Sequence, residues 1–351
     1  MKNFTSNFQN DDIHKRSSFI LYANCSLGST IPDVCPALPF PGIIKYLHQE
    51  NEDLNKKSIS EIVGKISNLV LARPLSSTTM VILHSIPIDN GPIESICSHL
   101  NKSVCSYWVF SRGTPEFINY DIKGNCLAKI NTDIQYFKNK PICITDEGLI
   151  IFRKSQSAIH ACTADTDSKA FIDLTPLSSA CMCLARNGDI LIGAVHVREN
   201  VGALLRYNYK GKCLQRVTHS WEKMIPKPIF KTNKLRAYIS ENINGDVCLS
   251  TDVVDVISSD GELRFTYTGK EASLANPFLP SGICTDIQGN ILIADEINRG
   301  IHVLDKDGNF LILFTLPGDD QVYPISFCVD YKNDLCVGCS DRKIRIINYL
   351  N

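Results

Sequence analysis

The sequence predicts an all-β protein that folds as a six-bladed β-propeller. Two observations lead to this prediction. A tight turn followed by an apolar run recurs about every 44 residues, and the last repeat lacks a strand that an upstream segment can supply. A repeat of this length, with strands on both sides of each turn, is typical of propeller blades.

The repeat is measured from the turn that precedes each apolar run. The middle residues of these turns are Lys102, Glu147, Gly188, Gly245, Gly289 and Asn333. They are separated by 45, 41, 57, 44 and 44 residues. The apolar runs that follow them are VCSYWVF, LIIF, ILIGAV, VCLS, ILIA and LCVG. Six such units predict six blades.

A second turn follows the apolar run in most units. These turns lie at Lys123–Asn125, Lys210–Lys212, Ser259–Gly261 and Lys306–Gly308. Gly and Asn adopt the positive φ that tight hairpins require, so each unit is expected to be a four-stranded antiparallel meander. Such a sheet has two apolar faces, and stacking six sheets in a ring buries them.

The sixth repeat ends with KIRIINYLN and has no second turn. We expect the β-branched, apolar run TTMVILHSI (Thr78–Ile86) to pair beside Lys343–Tyr349 and close the ring. Closure by the opposite end of the chain protects two strand edges at once. The predicted propeller spans residues 78–351. Residues 1–75 are predicted to be a poorly ordered leader with a possible short helix at Ile59–Leu71.

Composition and cysteine spacing limit the class of protein. The net charge of −1 gives no overall signal for nucleic-acid binding, and no apolar run reaches the roughly 18 residues of a membrane span. Many of the 15 cysteines recur at fixed distances from the turns, which indicates buried core positions. Reduced, buried cysteines predict a cytoplasmic protein. The CVGC and CMC segments lack the second pair of a zinc site, so no metal or cofactor is expected.

The segment SGICTDIQGNILIADEINRGIHVLDKDGNFL resembles the NHL repeat. Together with the ending LCVGCSDRKIRIINYLN, it is similar to the C-terminal propeller of tripartite-motif proteins, especially the mollusc type. The resemblance implies the substrate-recognition half of a RING-type ubiquitin ligase. The first 45 residues contain only Cys25, Cys35 and His14 as candidate zinc ligands. We therefore expect neither RING nor B-box there, and a possible association with relatives that carry a RING.

The predicted function is a non-enzymatic recognition or scaffold module for a protein or RNA. The alternative is a calcium-dependent lactonase or related hydrolase, with carboxylate ligands at the mouth of the central channel. Candidate ligands on the innermost strands are Glu94, Glu241, Asp286 and Asp330. No Ser-His-Asp or Cys-His order is discernible, and His302 is expected to be an outward-facing strand residue.

The two ends of the blades are expected to differ in charge. The turns are rich in Asp, whereas the links in the middle of the blades carry Arg and Lys. The predicted binding residues are Arg112, Lys154, Arg198, Trp221, Lys223, Lys227, Lys231, Arg299, Arg342 and Lys343. A basic rim that bears an aromatic residue suits RNA or an acidic protein segment. The alternative is that lysines of the long interval only solvate an exposed loop.

Overall fold

The strands of the protein form six four-stranded antiparallel sheets. A computed structural model of the chain describes residues 80–101, 104–132, 142–196, 201–219, 237–316 and 321–349. Within these residues there are 24 strands and a short 3-10 helix, Lys270–Ala272. The predicted leader lies outside them. None of the helical structure in these ranges is long and apolar enough to cross a membrane.

The first strand, β1 (Val81–Pro87), belongs to the last blade. Blade 1 contains β2 (Ile93–Asn101), β3 (Val104–Ser111), β4 (Glu116–Asp121) and β5 (Cys126–Asn131). Blade 2 contains β6 (Ile142–Ile144), β7 (Ile150–Arg153), β8 (Ala158–Cys162) and β9 (Lys169–Asp173). Blade 3 contains β10 (Ser178–Leu184), β11 (Ile190–His196), β12 (Val201–Tyr207) and β13 (Cys213–His219).

Blade 4 contains β14 (Tyr238–Glu241), β15 (Val247–Ser250), β16 (Val254–Ile257) and β17 (Leu263–Tyr267). Blade 5 contains β18 (Pro280–Thr285), β19 (Ile291–Asp295), β20 (Gly300–Leu304) and β21 (Phe310–Thr315). Blade 6 contains β22 (Pro324–Val329), β23 (Leu335–Cys339) and β24 (Lys343–Asn348), with β1 as its outer strand.

The first strands of the blades surround a common axis. Each packs against the next in the order β2, β6, β10, β14, β18, β22, and β22 packs against β2 again. Apolar side chains fill the spaces between adjacent sheets, for example Leu292, Val303, Leu335 and Val337 between blades 5 and 6. The sequence-based prediction of a closed, six-bladed propeller is confirmed.

The ring closes through β1, as the sequence predicts. β1 pairs antiparallel with β24, and Ile86 lies opposite Ile344. Ile86 is 1% exposed and packs in a cluster that includes Ile346 and Tyr107. Hydrophobic contacts from blade 1 therefore hold the upstream strand of blade 6 in place.

A repeated aspartate explains why the turns recur so regularly. The Oδ1 atom of Asp286 accepts hydrogen bonds from the N–H groups of Gln288 and Asn290, both at 2.8 Å. Gly289 has a φ of 86°, which strongly favours glycine. Bonds of the same pattern are made by Asp121, Asn208, Asp305 and Asp330. Because the side chain binds its own turn, this signal is visible in the sequence.

The described cysteines are free thiols, and most are core residues. Burial raises the pKa of Cys181 to about 12, so this thiol is a poor nucleophile. The core interpretation is wrong for Cys126 and Cys213, which are exposed. Each begins the outermost strand of its blade, at the periphery of the propeller.

Candidate functional site

Strand direction alternates across each blade, and this assigns every loop to one of two faces. The turns between first and second strands and between third and fourth strands form the turn face. The links between second and third strands, and the connections between blades, form the link face. All the predicted binding residues within the described ranges belong to the link face.

Three arginines occupy the links of three consecutive blades. Arg299, Arg342 and Arg112 lie in blades 5, 6 and 1, and each is exposed. The φ of Arg299 is 56° and that of Arg342 is 63°, so both are in the left-handed region. This conformation costs a non-glycine residue about 1 kcal/mol. Glycine would be the more stable choice at both positions.

Carboxylates lie close to the arc that Arg299, Arg342 and Arg112 form on the link face. The Nε of Arg112 donates to Oε1 of Glu94 at 2.7 Å, and Glu94 is only 5% exposed. In blade 6, Arg345 binds both oxygens of Asp341, at 2.8 and 2.7 Å. Burial alone would raise the pKa of Asp341, but the hydrogen bonds from Arg345 outweigh it and lower the pKa. An ion pair within blade 1 therefore holds Arg112, and an ion pair within blade 6 holds Asp341, which directly precedes Arg342.

The other predicted residues differ in their surroundings. Lys343 is exposed, with its Nζ 3.9 Å from Asp341. Lys154 is half-buried, and its Nζ donates to the carbonyl oxygen of Thr132. Arg198, Trp221, Lys223, Lys227 and Lys231 lie outside the described residues.

The contrast in charge between the faces is weaker than the sequence suggests. The link face also has the exposed acids Asp89, Asp173, Asp252 and Glu271. The turn face has the exposed lysines Lys123, Lys210, Lys212, Lys306 and Lys332. The Asp- or Asn-capped turns explain these exposed lysines, because the residues that follow the capping residue point into solvent. The three arginines are thus a local feature of blades 5, 6 and 1.

The four candidate calcium ligands do not form one site. Glu94 lies at the link-face end of its strand, whereas Glu241, Asp286 and Asp330 lie at the turn-face ends. Each already has a partner: Arg112 for Glu94, Arg206 for Glu241, Tyr349 for Asp286 and the backbone of its turn for Asp330. No group of three or more His, Cys, Asp or Glu in the described ranges could hold a metal ion.

Asp330 makes the stability of blade 6 depend on pH. Burial, partly offset by its turn N–H bonds, raises its pKa from 3.8 to about 6. The folded state therefore binds this proton more tightly than the unfolded state. The resulting stabilisation is complete below about pH 4 and is lost as the pH rises through about 6.

We expect Asp330→Asn to raise the free energy of unfolding by about 2–3 kcal/mol at pH 8 and to leave it unchanged near pH 4. Asparagine keeps the Oδ1 acceptor, as Asn208 shows in its own turn. Urea denaturation at both pH values measures the difference. An equal effect at both pH values would show that the ionisation of Asp330 is not responsible.

The prediction that the side chain of His302 faces outward is wrong, because His302 is 0% exposed. Its Nε2 is 3.1 Å from Oδ2 of Asp295, and its Nδ1 is 2.8 Å from the hydroxyl of Tyr267. Burial would raise the pKa of Asp295, but hydrogen bonds from His302 and Asn298 lower it. The ionised Asp295 accepts a hydrogen bond from Nε2, and the hydroxyl of Tyr267 is the partner of Nδ1.

This network also fixes the link that carries Arg299. Asn298 donates to Asp295 through its backbone N–H at 3.1 Å and its Nδ2 at 2.7 Å. The N–H of Leu279, in the connection from blade 4, also donates to Asp295 at 3.3 Å. The spacing of Asp295 and Asn298 is visible in the sequence, but Tyr267 comes from the preceding blade.

Comparison with solved structures identifies the class of protein. A virginiamycin B lyase from Staphylococcus aureus is 12% identical over 77% of this chain and 99% of its own, with a TM-score of 0.52. A gluconolactonase from Xanthomonas campestris is 14% identical over 79% and 91%, with a TM-score of 0.54. The WD40 β-propeller domain of Doa1 is 13% identical over 78% and 97%, with a TM-score of 0.50. The chain is therefore a six-bladed β-propeller.

No protein-family model and no curated protein matches the sequence. The structural likeness contradicts the prediction that this chain is not an enzyme, because a lyase and a gluconolactonase have the same propeller fold. At identities this low the likeness shows the fold alone, and function has to be argued from the chain's own residues.

Proposed function

We propose that the propeller is a recognition module that binds an acidic segment of a partner protein on the link face of blades 5, 6 and 1. The repeat at Ser281–Leu311 supports an NHL-type propeller of the tripartite-motif class. In that case the partner is a substrate in the ubiquitin pathway, presented to a relative that carries a RING. The cytoplasm is its proposed location, where free thiols stay reduced.

The observation that carries this proposal is the conformation of Arg299 and Arg342. Both are exposed and left-handed, at corresponding places in adjacent blades. Residues in strained backbone conformations cluster at functional sites, which supports a function for these two side chains. Arg112 extends the same arc into blade 1, where Gly113 takes the left-handed position, with a φ of 90°. Arginine is suited to carboxylates because its planar group can donate two parallel hydrogen bonds.

The distribution of charge favours a protein over RNA. Asp89, Asp173, Asp252 and Glu271 are exposed on the same face and would repel a phosphate backbone. A folded or extended protein segment can match both signs of charge, which gives specificity as well as attraction. RNA binding is therefore a separate outcome that the experiment below distinguishes.

We expect the double variant Arg299→Gly and Arg342→Gly to lose partner binding by at least about tenfold while remaining as stable as the wild type. Each glycine relieves the cost of the left-handed conformation, so the free energy of unfolding should be unchanged or higher by up to about 1 kcal/mol per site. Binding is measured by capture from lysate with and without ribonuclease, and stability by thermal melting. A purely structural role predicts unchanged capture.

The control is the double variant Lys123→Ala and Lys306→Ala, which removes two exposed cations from the turn face. It should retain capture within about twofold, because both lysines lie on the face opposite the proposed site and surface ion pairs contribute little. Equal losses from both variants would contradict a link-face site. Loss of capture after ribonuclease treatment would indicate RNA instead.

A further inference from the structure

The link face of blade 5 carries two exposed apolar side chains. Leu279 is 38% exposed in the connection from blade 4, and Ile297 is 41% exposed in the link between β19 and β20. In the described part of the chain, the other large apolar side chains with comparable exposure belong to the turns or to strands, mainly the outer ones. Gly, Pro, Asn, Asp and Ser are the residues that favour a turn, so an isoleucine at this place does not serve the turn itself.

Backbone hydrogen bonds hold both residues in place. The N–H of Leu279 donates to Oδ1 of Asp295 at 3.3 Å, and its carbonyl oxygen accepts from the N–H of Glu296 at 3.0 Å. Glu296 directly precedes Ile297, and Asn298, which donates to Asp295, directly follows it. The backbone of this link is therefore fixed before a partner binds, which lowers the entropic cost of binding.

The residue before Leu279 anchors the connection in the core. The ring centroid of Phe278 lies 5.4 Å from that of Tyr267 and 4.8 Å from that of His302. The buried network around His302 therefore supports both exposed apolar side chains as well as Arg299. A rigid supporting shell of this kind is what a specific binding site requires.

The charge beside this apolar pair indicates the kind of partner that fits it. Arg299 is exposed and lies two residues after Ile297, whereas Glu296, the acid of the same link, is half-buried. An apolar centre beside an arginine is the usual organisation of a protein interface. The bases of RNA stack on aromatic rings, and neither Leu279 nor Ile297 offers one. The link therefore suits a protein segment that has an apolar side chain close to a carboxylate.

We infer that Leu279 and Ile297 determine which acidic segments the propeller accepts, namely those with an apolar residue within a few positions of the carboxylate that Arg299 binds. The inference rests on the proposed function, because the arginines supply the attraction for the carboxylate. In an extended segment, side chains two positions apart point the same way, so an apolar and an acidic residue at that spacing both face the link. The apolar contact adds affinity through buried area, and the ion pair adds selection by charge.

The test compares two fluorescein-labelled peptides, both rich in glutamate, that differ only in a central leucine or serine. Fluorescence anisotropy with the full 351-residue chain measures their affinities. We expect the leucine peptide to bind at least about fivefold more tightly, which is the effect of burying part of one leucine side chain. The double variant Leu279→Ser and Ile297→Ser should bind both peptides with the affinity of the serine peptide. The matched control is Leu214→Ser on β13, where Leu214 is 51% exposed, and it should keep the full difference.

A variant of the arginines separates this inference from the proposed function. Arg299→Gly with Arg342→Gly should weaken both peptides by at least about tenfold and keep the ratio between them. If the wild type binds neither peptide, or if the arginine variant binds both unchanged, the proposed function fails and this inference fails with it.

Other outcomes overturn the inference alone. Equal affinities of the wild type for the two peptides, with loss of both in the arginine variant, leave the proposed function intact. A difference between the peptides that survives Leu279→Ser with Ile297→Ser, or that disappears in Leu214→Ser, places the apolar contact elsewhere. If the double variant folds poorly, Ile297→Ser alone makes the same comparison and should reduce the difference between the peptides.

Discussion

Replacing Ile86 by alanine should lower the free energy of unfolding by about 2–5 kcal/mol, the range for truncating a large buried aliphatic side chain. Ile86 is 1% exposed and packs with Ile344, Ile346 and Tyr107. It joins the upstream strand to both the last blade and the first. A cavity at this position therefore weakens the closure of the ring as well as the local core. Urea denaturation monitored by tryptophan fluorescence measures the loss.

The control for this variant lies on the same strand. Leu83 is 43% exposed, so Leu83→Ala should change stability by no more than about 0.5 kcal/mol. If both variants lose the same amount, the burial of Ile86 is not the cause of the loss. If neither variant loses stability, the side chains of β1 do not hold the ring closed.

Replacing Asp295 by alanine should lower the free energy of unfolding by about 3–5 kcal/mol. Asp295 is 0% exposed and accepts hydrogen bonds from His302, Asn298 and Leu279. Alanine leaves these donors, of which His302 is fully buried, without their acceptor, and an unsatisfied buried polar group costs the full penalty of its desolvation. Since the pKa of Asp295 is lowered, its stabilisation is present above the unfolded-state pKa and is lost as the pH falls through the folded-state value.

Asp252→Ala is the comparison, because Asp252 is an exposed aspartate in the corresponding link of blade 4. We expect it to change stability by no more than about 0.5 kcal/mol. The difference between Asp295→Ala and the wild type should also shrink as the pH falls below about 4, the ordinary pKa of an aspartate in an unfolded chain. A difference that stays constant from pH 7 to pH 3 would show that the charge of Asp295 does not matter.

The network around Asp295 connects stability to the proposed site. Asn298, which Asp295 holds by two hydrogen bonds, directly precedes Arg299. Movement of this link would displace one of the three arginines of the arc. Partner binding by the Asp295→Ala variant should therefore be compared with that of the wild type at a temperature where the variant remains folded.

Much of the fold could be predicted because the turn chemistry is local. The aspartate that caps a turn, the glycine with positive φ and the apolar runs lie within a few residues of one another. Counting these turns is enough to count the blades. The missing fourth strand of the last repeat, together with one unassigned apolar run, is enough to predict β1.

The candidate site could be predicted only in part. The repeat places Arg112, Arg299 and Arg342 in the links, and all three lie in links in the structure. Their grouping on consecutive blades follows from the order of the ring. The backbone conformation of Arg299 and Arg342 has no sequence signal, because left-handed arginine is uncommon and its neighbours do not specify it.

The sequence by itself determined the number of blades, the closing strand and the face on which each loop lies, because all three depend on local turns and on alternation of strand direction. Only the tertiary structure decided which polar side chains are buried and what they contact. Tyr267 binds His302 from the preceding blade, and Arg264 pairs with Asp246 in its own blade and with Asp307 in the next. The two contacts between blades join residues 35 and 43 positions apart in the chain. The distances between these residues depend on how neighbouring blades pack, and no short-range sequence pattern indicates them.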